Sequence, residues 1–332
     1  MAGHLAAVDD DVRAMPGLID VHQHITPQVY IDAMATIGVV GSGEGRRWPE
    51  WTIPQTIELM DKTGIAAMVG SIASPGLYFG NIEFTRRLAR PCNEAIADIV
   101  RDRPKRIGGF GVVPLPDTGA ACAELSYQLD TLKLDGVCLL SNVGGIYLGD
   151  PSFDEFMAEL DRRAALVFLH PGYPARGKVP TYDAMKGTLE LTYDTGRAIA
   201  NMLWNGTLSK YPRIRWIVSH AGGVIPFLMF RLTKYDREPK VHEKNPDGIE
   251  AILKRFWYDV AQSAVAPSFC ALLEIADPDR IVFGSDFPFS RFPEDDLRET
   301  CDGVAAFGGF DAGLRAKIER DNAVHLFPKL AD

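Results

Sequence analysis

The chain has 332 residues, 46% of them hydrophobic, and a net charge of −9 from 35 basic and 44 acidic side chains. That acidic balance argues against a nucleic-acid or anionic-membrane partner, and no apolar run reaches the ~18 residues that cross a bilayer. An anionic small substrate stays open, because a few local arginines can still form a positive pocket. Five cysteines, Cys92, Cys122, Cys138, Cys270 and Cys301, are odd in number, scattered and without a CxxC pair. They read as reduced core residues of a cytoplasmic protein. The opening MAGHLAAVDDDVRAMPG has neither the basic nor the apolar segment of a secretory signal.

In chain order, short apolar or β-branched runs recur, each followed by a helical pattern. Strands are predicted at 18–24 (LIDVHQH), 65–72, 106–113, 136–140, 165–170, 214–220, 256–261 and 280–286. Their near-continuous hydrophobicity suits strands buried on both faces of a parallel sheet. Helices are predicted at 83–103, 118–133, 152–164, 195–210, 223–236 and 266–276. Eight strands alternating with helices is the pattern of a closed (β/α)8 TIM barrel, one domain over 1–332. A doubly wound open sheet is the other architecture the pattern allows. Residues 25–55 and 171–195, rich in Gly and Pro, are expected as long loops leaving the carboxyl ends of strands, the face on which such a barrel builds its site.

Only seven histidines occur, and four of them, His22, His24, His170 and His220, fall at predicted strand ends. The last strand ends on Asp286, in FGSDFPF. These side chains bind divalent transition metals. His22 and His24 are two residues apart on a strand, so both can face the barrel axis. Singly, each is as consistent with a hydrogen-bonded strand end. Together they converge on one mouth. His4 falls in the terminus, His242 in a charged stretch read as a solvated loop, and His325 in a C-terminal helix, so none is expected as a ligand. Asp259, at the end of the seventh strand, reads as a structural acid somewhat better than as a partner for a histidine.

The motifs DVHQH at 20–24, LHP at 169–171, SHAGG at 219–223 and FGSDFPF at 283–289 resemble the amidohydrolase superfamily. More narrowly, they resemble the branch of aminocarboxymuconate-semialdehyde decarboxylase, and within it the 6-methylsalicylate decarboxylase type. The resemblance extends to MDKTGI at 60–65, LGDPSFDEFMAEL at 148–160 and DNAVHLF at 321–327. It implies that His22, His24, His170 and Asp286 hold a metal and that His220 is an acid/base beside it. The fourth strand, GVCLLSN, offers no lysine to be carbamylated, so one divalent ion is expected, zinc before manganese, with no organic cofactor. The resemblance further implies that Arg46 or Arg47 binds a substrate carboxylate, and that Arg231 does so from a neighbouring subunit of a homodimer or larger oligomer. Among nearby aromatics (Trp48, Trp51, Tyr173, Phe287, Phe289), Phe289 is the first choice to wall a flat substrate, being three residues past Asp286.

The expected activity is non-oxidative decarboxylation of a small, aromatic acid of the hydroxybenzoate type, with Asp286 or His220 delivering the proton. A metal-dependent hydrolase or hydratase of a ring-cleavage lactone or dicarboxylate is the alternative. A non-catalytic metal-binding barrel would have no use for His220 beside a full ligand set.

Overall fold

The computed structural model describes residues 17–42, 47–49, 51–174, 186–290 and 292–331. Eight parallel strands follow one another around a single sheet: β1 (Leu18–His24), β2 (Ile65–Ser71), β3 (Ile107–Gly111), β4 (Gly136–Leu140), β5 (Leu166–His170), β6 (Arg215–Val218), β7 (Trp257–Asp259) and β8 (Ile281–Val282). The last returns to the first. Val21 N donates to Phe283 O (3.0 Å) and Asp286 N to His22 O (2.8 Å), and Gln23 bridges to Phe287. The sheet is therefore a closed barrel rather than an open doubly wound one.

Local chemistry explains the frame. β1 is buried along its whole length, as a strand walled on both faces must be. The helix Ile53–Thr63 ends on Gly64 in the left-handed conformation (φ 74°), and β2 begins at the next residue. Only glycine takes that turn without strain. Inside the barrel, Val21, Val69, Phe110, Phe168, Ile217 and Val282 pack together, and Phe327 and Leu330 of the C-terminal segment plug the end opposite the strand carboxyl termini.

Two expected loops are partly helical. Within 25–55, Gln28–Thr36 is a helix that buries Tyr30 and Met34, four residues apart on one face. Within 171–195, a helix begins at Lys186 and runs to Asn205. Gly187 and the threonines at 188, 192 and 195 lower its local propensity, but tertiary burial of Asp194 and Thr195 overrides that. His242, expected in a loop, is exposed on the short helix Pro239–Lys244. The cysteines are not uniformly core residues: Cys92 and Cys138 are buried, whereas Cys270 is exposed on the helix Ala266–Ile275. No helix among the described residues is long and apolar enough to cross a membrane.

Candidate metal centre

His22, His24 and His170 end their strands as expected, but His220 and Asp286 lie beyond theirs. β6 stops at Val218 and β8 at Val282. Both residues adopt positive φ, 56° at His220 and 69° at Asp286. A non-glycine residue is held there only where surrounding contacts over-determine it, and such strain collects at functional sites.

Those contacts are visible. Asp259 is fully buried, and its Oδ2 lies 2.8 Å from His22 Nδ1. Its Oδ1 accepts from the backbone N of His220 (2.9 Å) and Ala261 (3.0 Å). Asp259 is thus a histidine partner rather than merely structural. With Nδ1–H donated to this carboxylate, the His22 Nε2 lone pair faces the barrel mouth. His170 is oriented likewise: its Nδ1 lies 2.9 Å from Pro171 O, and its Nε2 is buried with no hydrogen-bond partner among the described residues. His24 Nε2 lies 2.8 Å from Asp286 Oδ1 and 3.3 Å from His22 Nε2, and its Nδ1 is 3.3 Å from Ser71 Oγ. His220 Nε2 is 3.4 Å from Asp286 Oδ2. The His22 ring sits edge-on to Phe168, centroids 4.8 Å apart.

One ligand atom each from His22, His170, His220 and Asp286 lies within 4.8 Å of the others. The tightest group therefore takes in His220, to which the resemblance gave a separate role, while His24 leans on the same carboxylate. Burial disfavours the His22 imidazolium, yet Asp259 and Asp286 push it up to about 10. Burial and the neighbouring histidines drive His170 well below its ordinary value, and burial lowers His24. Burial would raise Asp286, but His22, His220 and His24 hold it well below the carboxylate range. Imidazole nitrogens and the Asp286 carboxylate around one point, with an orphaned buried Nε2 among them, are a donor set that fits a divalent cation, whose binding would take the place of the proton the two aspartates hold on His22.

Sequence reasoning missed two acids. Asp20, fully buried, accepts from His22 N (3.0 Å) and Gln23 Nε2 (2.8 Å) on β1, and from Ser285 N (3.1 Å) and Ser285 Oγ (2.6 Å) beside Asp286. It straps the two ligand-bearing segments together, and burial pushes it up to about 6. Asp194, also fully buried, accepts from Ser141 Oγ, Asn142 Nδ2 (2.7 Å) and Tyr147 OH (2.5 Å). A polar residue inside the apolar run LIDV was the available signal for Asp20; Asp194 left none.

The proposed substrate contacts fare unequally. Phe289 is in place, its ring centroid 4.9 Å from that of His24. Arg47 is exposed and lines a depression of about 410 Å³ with Phe287 and Phe289. Arg46 lies outside the described residues, as does His4. Arg231 is exposed on the helix Ile225–Thr233 and makes no ion pair among the described residues. Trp48 packs edge-on to Tyr30, centroids 5.4 Å apart. His325 sits exposed on the helix Asn322–Leu326.

The amidohydrolase family model matches residues 19–329. The chain is 32% identical to a 6-methylsalicylic acid decarboxylase of Aspergillus aculeatus, over 94% of this chain and 96% of that one. It is 31% identical to the 6-methylsalicylic acid decarboxylase of Penicillium expansum, at the same coverages. Among solved structures, it shares its fold with a 5-carboxyvanillate decarboxylase of Novosphingobium aromaticivorans complexed with manganese and 4-hydroxy-3-methoxy-5-nitrobenzoic acid, at TM-score 0.79 and 21% identity over 95% of this chain and 97% of that one. With its barrel, its histidine and aspartate cluster and these relatives in agreement, the chain belongs to the amidohydrolase family, in the branch of the 6-methylsalicylate and aminocarboxymuconate-semialdehyde decarboxylases.

Proposed function

We propose that the chain is a metal-dependent, non-oxidative decarboxylase, a carboxy-lyase, acting on a small hydroxybenzoate-type acid such as 6-methylsalicylate. The observation that carries this reading is the convergence of His22, His24, His170, His220 and Asp286 on one point of the barrel mouth, in a chain about a third identical to decarboxylases of that acid. A single divalent ion held by His22, His24, His170 and Asp286, zinc or manganese, would supply a Lewis acid for the substrate's carboxylate and ortho hydroxyl.

The protein's own part is binding and proton delivery. Protonating the ring carbon that bears the carboxyl group creates the electron sink. The carbon–carbon bond then breaks, CO2 leaves and the ring regains aromaticity, so no organic cofactor is needed. The proton comes from His220 or Asp286, whose Nε2 and Oδ2 lie 3.4 Å apart, and His220 is kept in position by the bond from its backbone N to Asp259. Arg47 or Arg46 forks onto a carboxylate, and Phe289 walls the ring. Arg231 serves the neighbouring site of a homodimer or larger oligomer. Its helix carries Phe227 and Phe230, 88% and 73% exposed, an apolar face that suits burial against a second copy. Five cysteines free of disulfides in the described structure suit a reducing, cytoplasmic setting.

The test is to offer hydroxybenzoates and muconate-type acids to metal-replete protein and follow CO2 and product mass. Loss of CO2 is expected. A gain of water would make the chain a hydrolase or hydratase, and metal-bound protein inert to every acid would make it a non-catalytic barrel.

A further inference from the structure

Beside the metal centre, a cavity of about 210 Å³ opens at the carboxyl ends of β2, β3 and β4. Its wall is mostly hydrocarbon, from Ile72, Leu77, Val112, Val113, Leu115 and Leu140, with Tyr78, Asn142 and Tyr173 as neutral polar members, and no charged side chain among the described residues lines it. Chain continuity connects it to the metal centre: Ile72, in its wall, directly follows Ser71, whose Oγ lies 3.3 Å from His24 Nδ1. Gly172, two residues past His170, also lines it.

The wall is built by close fits. A Cβ on Gly76 would come within 2.6 Å of Leu140 Cδ1, and one on Gly144 within 2.7 Å of Tyr78 Cε1. Both glycines have positive φ, so side chains are kept out of the points where the cavity's segments meet. The segments are also fastened. Asn142 Nδ2 donates to Asp194 Oδ2 (2.7 Å) and to Tyr173 O (3.1 Å), and Ser141 Oγ accepts from Gly172 N (2.7 Å) while donating to Asp194.

We infer that this cavity is a subsite for an uncharged alkyl-bearing aromatic ring whose acid group lies at the metal centre, and that Leu140 and Val113 set the size of the alkyl group it takes. The inference rests on the decarboxylase reading for the identity of the acid group, but the cavity's preference stands on its wall alone. An apolar cavity of about 150 Å³ accommodates a benzene ring, so this one has room for a ring with a short alkyl group. Among the described residues, a second carboxylate would find only neutral polar groups on the wall, from Tyr78, Asn142 and Tyr173, and no cation to pair with, so shedding its water there is costly. The subsite therefore selects alkylated monocarboxylic acids over dicarboxylates.

The test measures binding of phenol, a methylphenol and a propylphenol, which are product-like and cannot lose CO2, to metal-loaded protein by calorimetry. A methyl group in a hydrophobic pocket is worth roughly 10-fold or more. The methylphenol should therefore bind at least about 10-fold more tightly than phenol. Val113→Phe should collapse that ratio, and Leu140→Ala should move the optimum towards the propylphenol. Equal affinities in the wild type, or an unchanged ratio in both folded variants, would overturn the subsite. Preference for alkylphenols with no CO2 release from any acid would overturn the decarboxylase reading and leave the subsite standing.

Discussion

Across the barrel mouth, the ends of β5, β6, β7, β8 and β1 carry histidines and aspartates, whereas the cavity at the ends of β2, β3 and β4 is lined mostly by hydrocarbon and, among the described residues, by no charged side chain. The first arc holds buried charge, backbone strain at His220 and Asp286, and hydrogen bonds from Asp259 and Asp20 that orient the ligands. The second places no charged side chain on its cavity wall among the described residues. Its shape comes from glycines at points of close approach and from one buried carboxylate, Asp194, fastening the loops behind it. The contrast follows from what each must do. A metal and a proton need atoms placed to fractions of an ångström, which hydrogen-bonded partners supply. Discrimination among hydrocarbon groups needs only volume and the exclusion of water.

Breaking the polar arc should have the largest effect. Wild-type protein is expected to carry close to one divalent ion per chain by elemental analysis, and the double variant His22→Ala/His24→Ala to lose it together with activity. Wild-type metal content in that variant would remove both histidines from the ligand set. His220→Ala sharpens the division within this arc. A positioned acid/base contributes ~10²–10⁴ in rate, so turnover should fall at least ~10²-fold with the ion retained. Because His220 lies within ligand distance of His22, His170 and Asp286, loss of the ion would instead make it a ligand.

A smaller effect is expected on the apolar arc. Asp194→Ala strands the donors of Ser141, Asn142 and Tyr147, at about 1–3 kcal/mol for each buried group left unpaired. A lower Tm and a higher KM should appear in thermal melts and initial rates, with metal content unchanged. Loss of metal here would show that the two arcs are not separable. Smallest is Arg231→Ala, the loss of one charge-assisted contact at ~1.5–3 kcal/mol, read as a rise in KM. Mixing Arg231→Ala with His220→Ala chains should restore part of the activity if Arg231 acts across a subunit interface. No recovery after verified subunit exchange would confine Arg231 to its own chain.

The amino-acid sequence by itself determined the eight strands, since an apolar run bounded by turn residues reports strand burial locally. It also placed His22, His24, His170, His220, Asp286 and Phe289 together, because a closed barrel brings every strand's carboxyl end to one mouth. Only the tertiary structure decided how those residues are held. His22 meets Asp259 across 237 residues of sequence, and Asp20 meets Ser285 across 265. Neither pair leaves a periodic trace. The early start of the helix Lys186–Asn205 was hidden for the same reason: its buried Asp194 is stabilised by Ser141, Asn142 and Tyr147, about fifty residues away, and not by its own neighbours' propensity. The cavity, too, exists only where Gly76 meets Leu140 and Gly144 meets Tyr78. Hydrophobic periodicity is a property of short segments, whereas a hydrogen bond to a buried carboxylate or a gap between walls is a property of segments that the closed barrel alone makes neighbours.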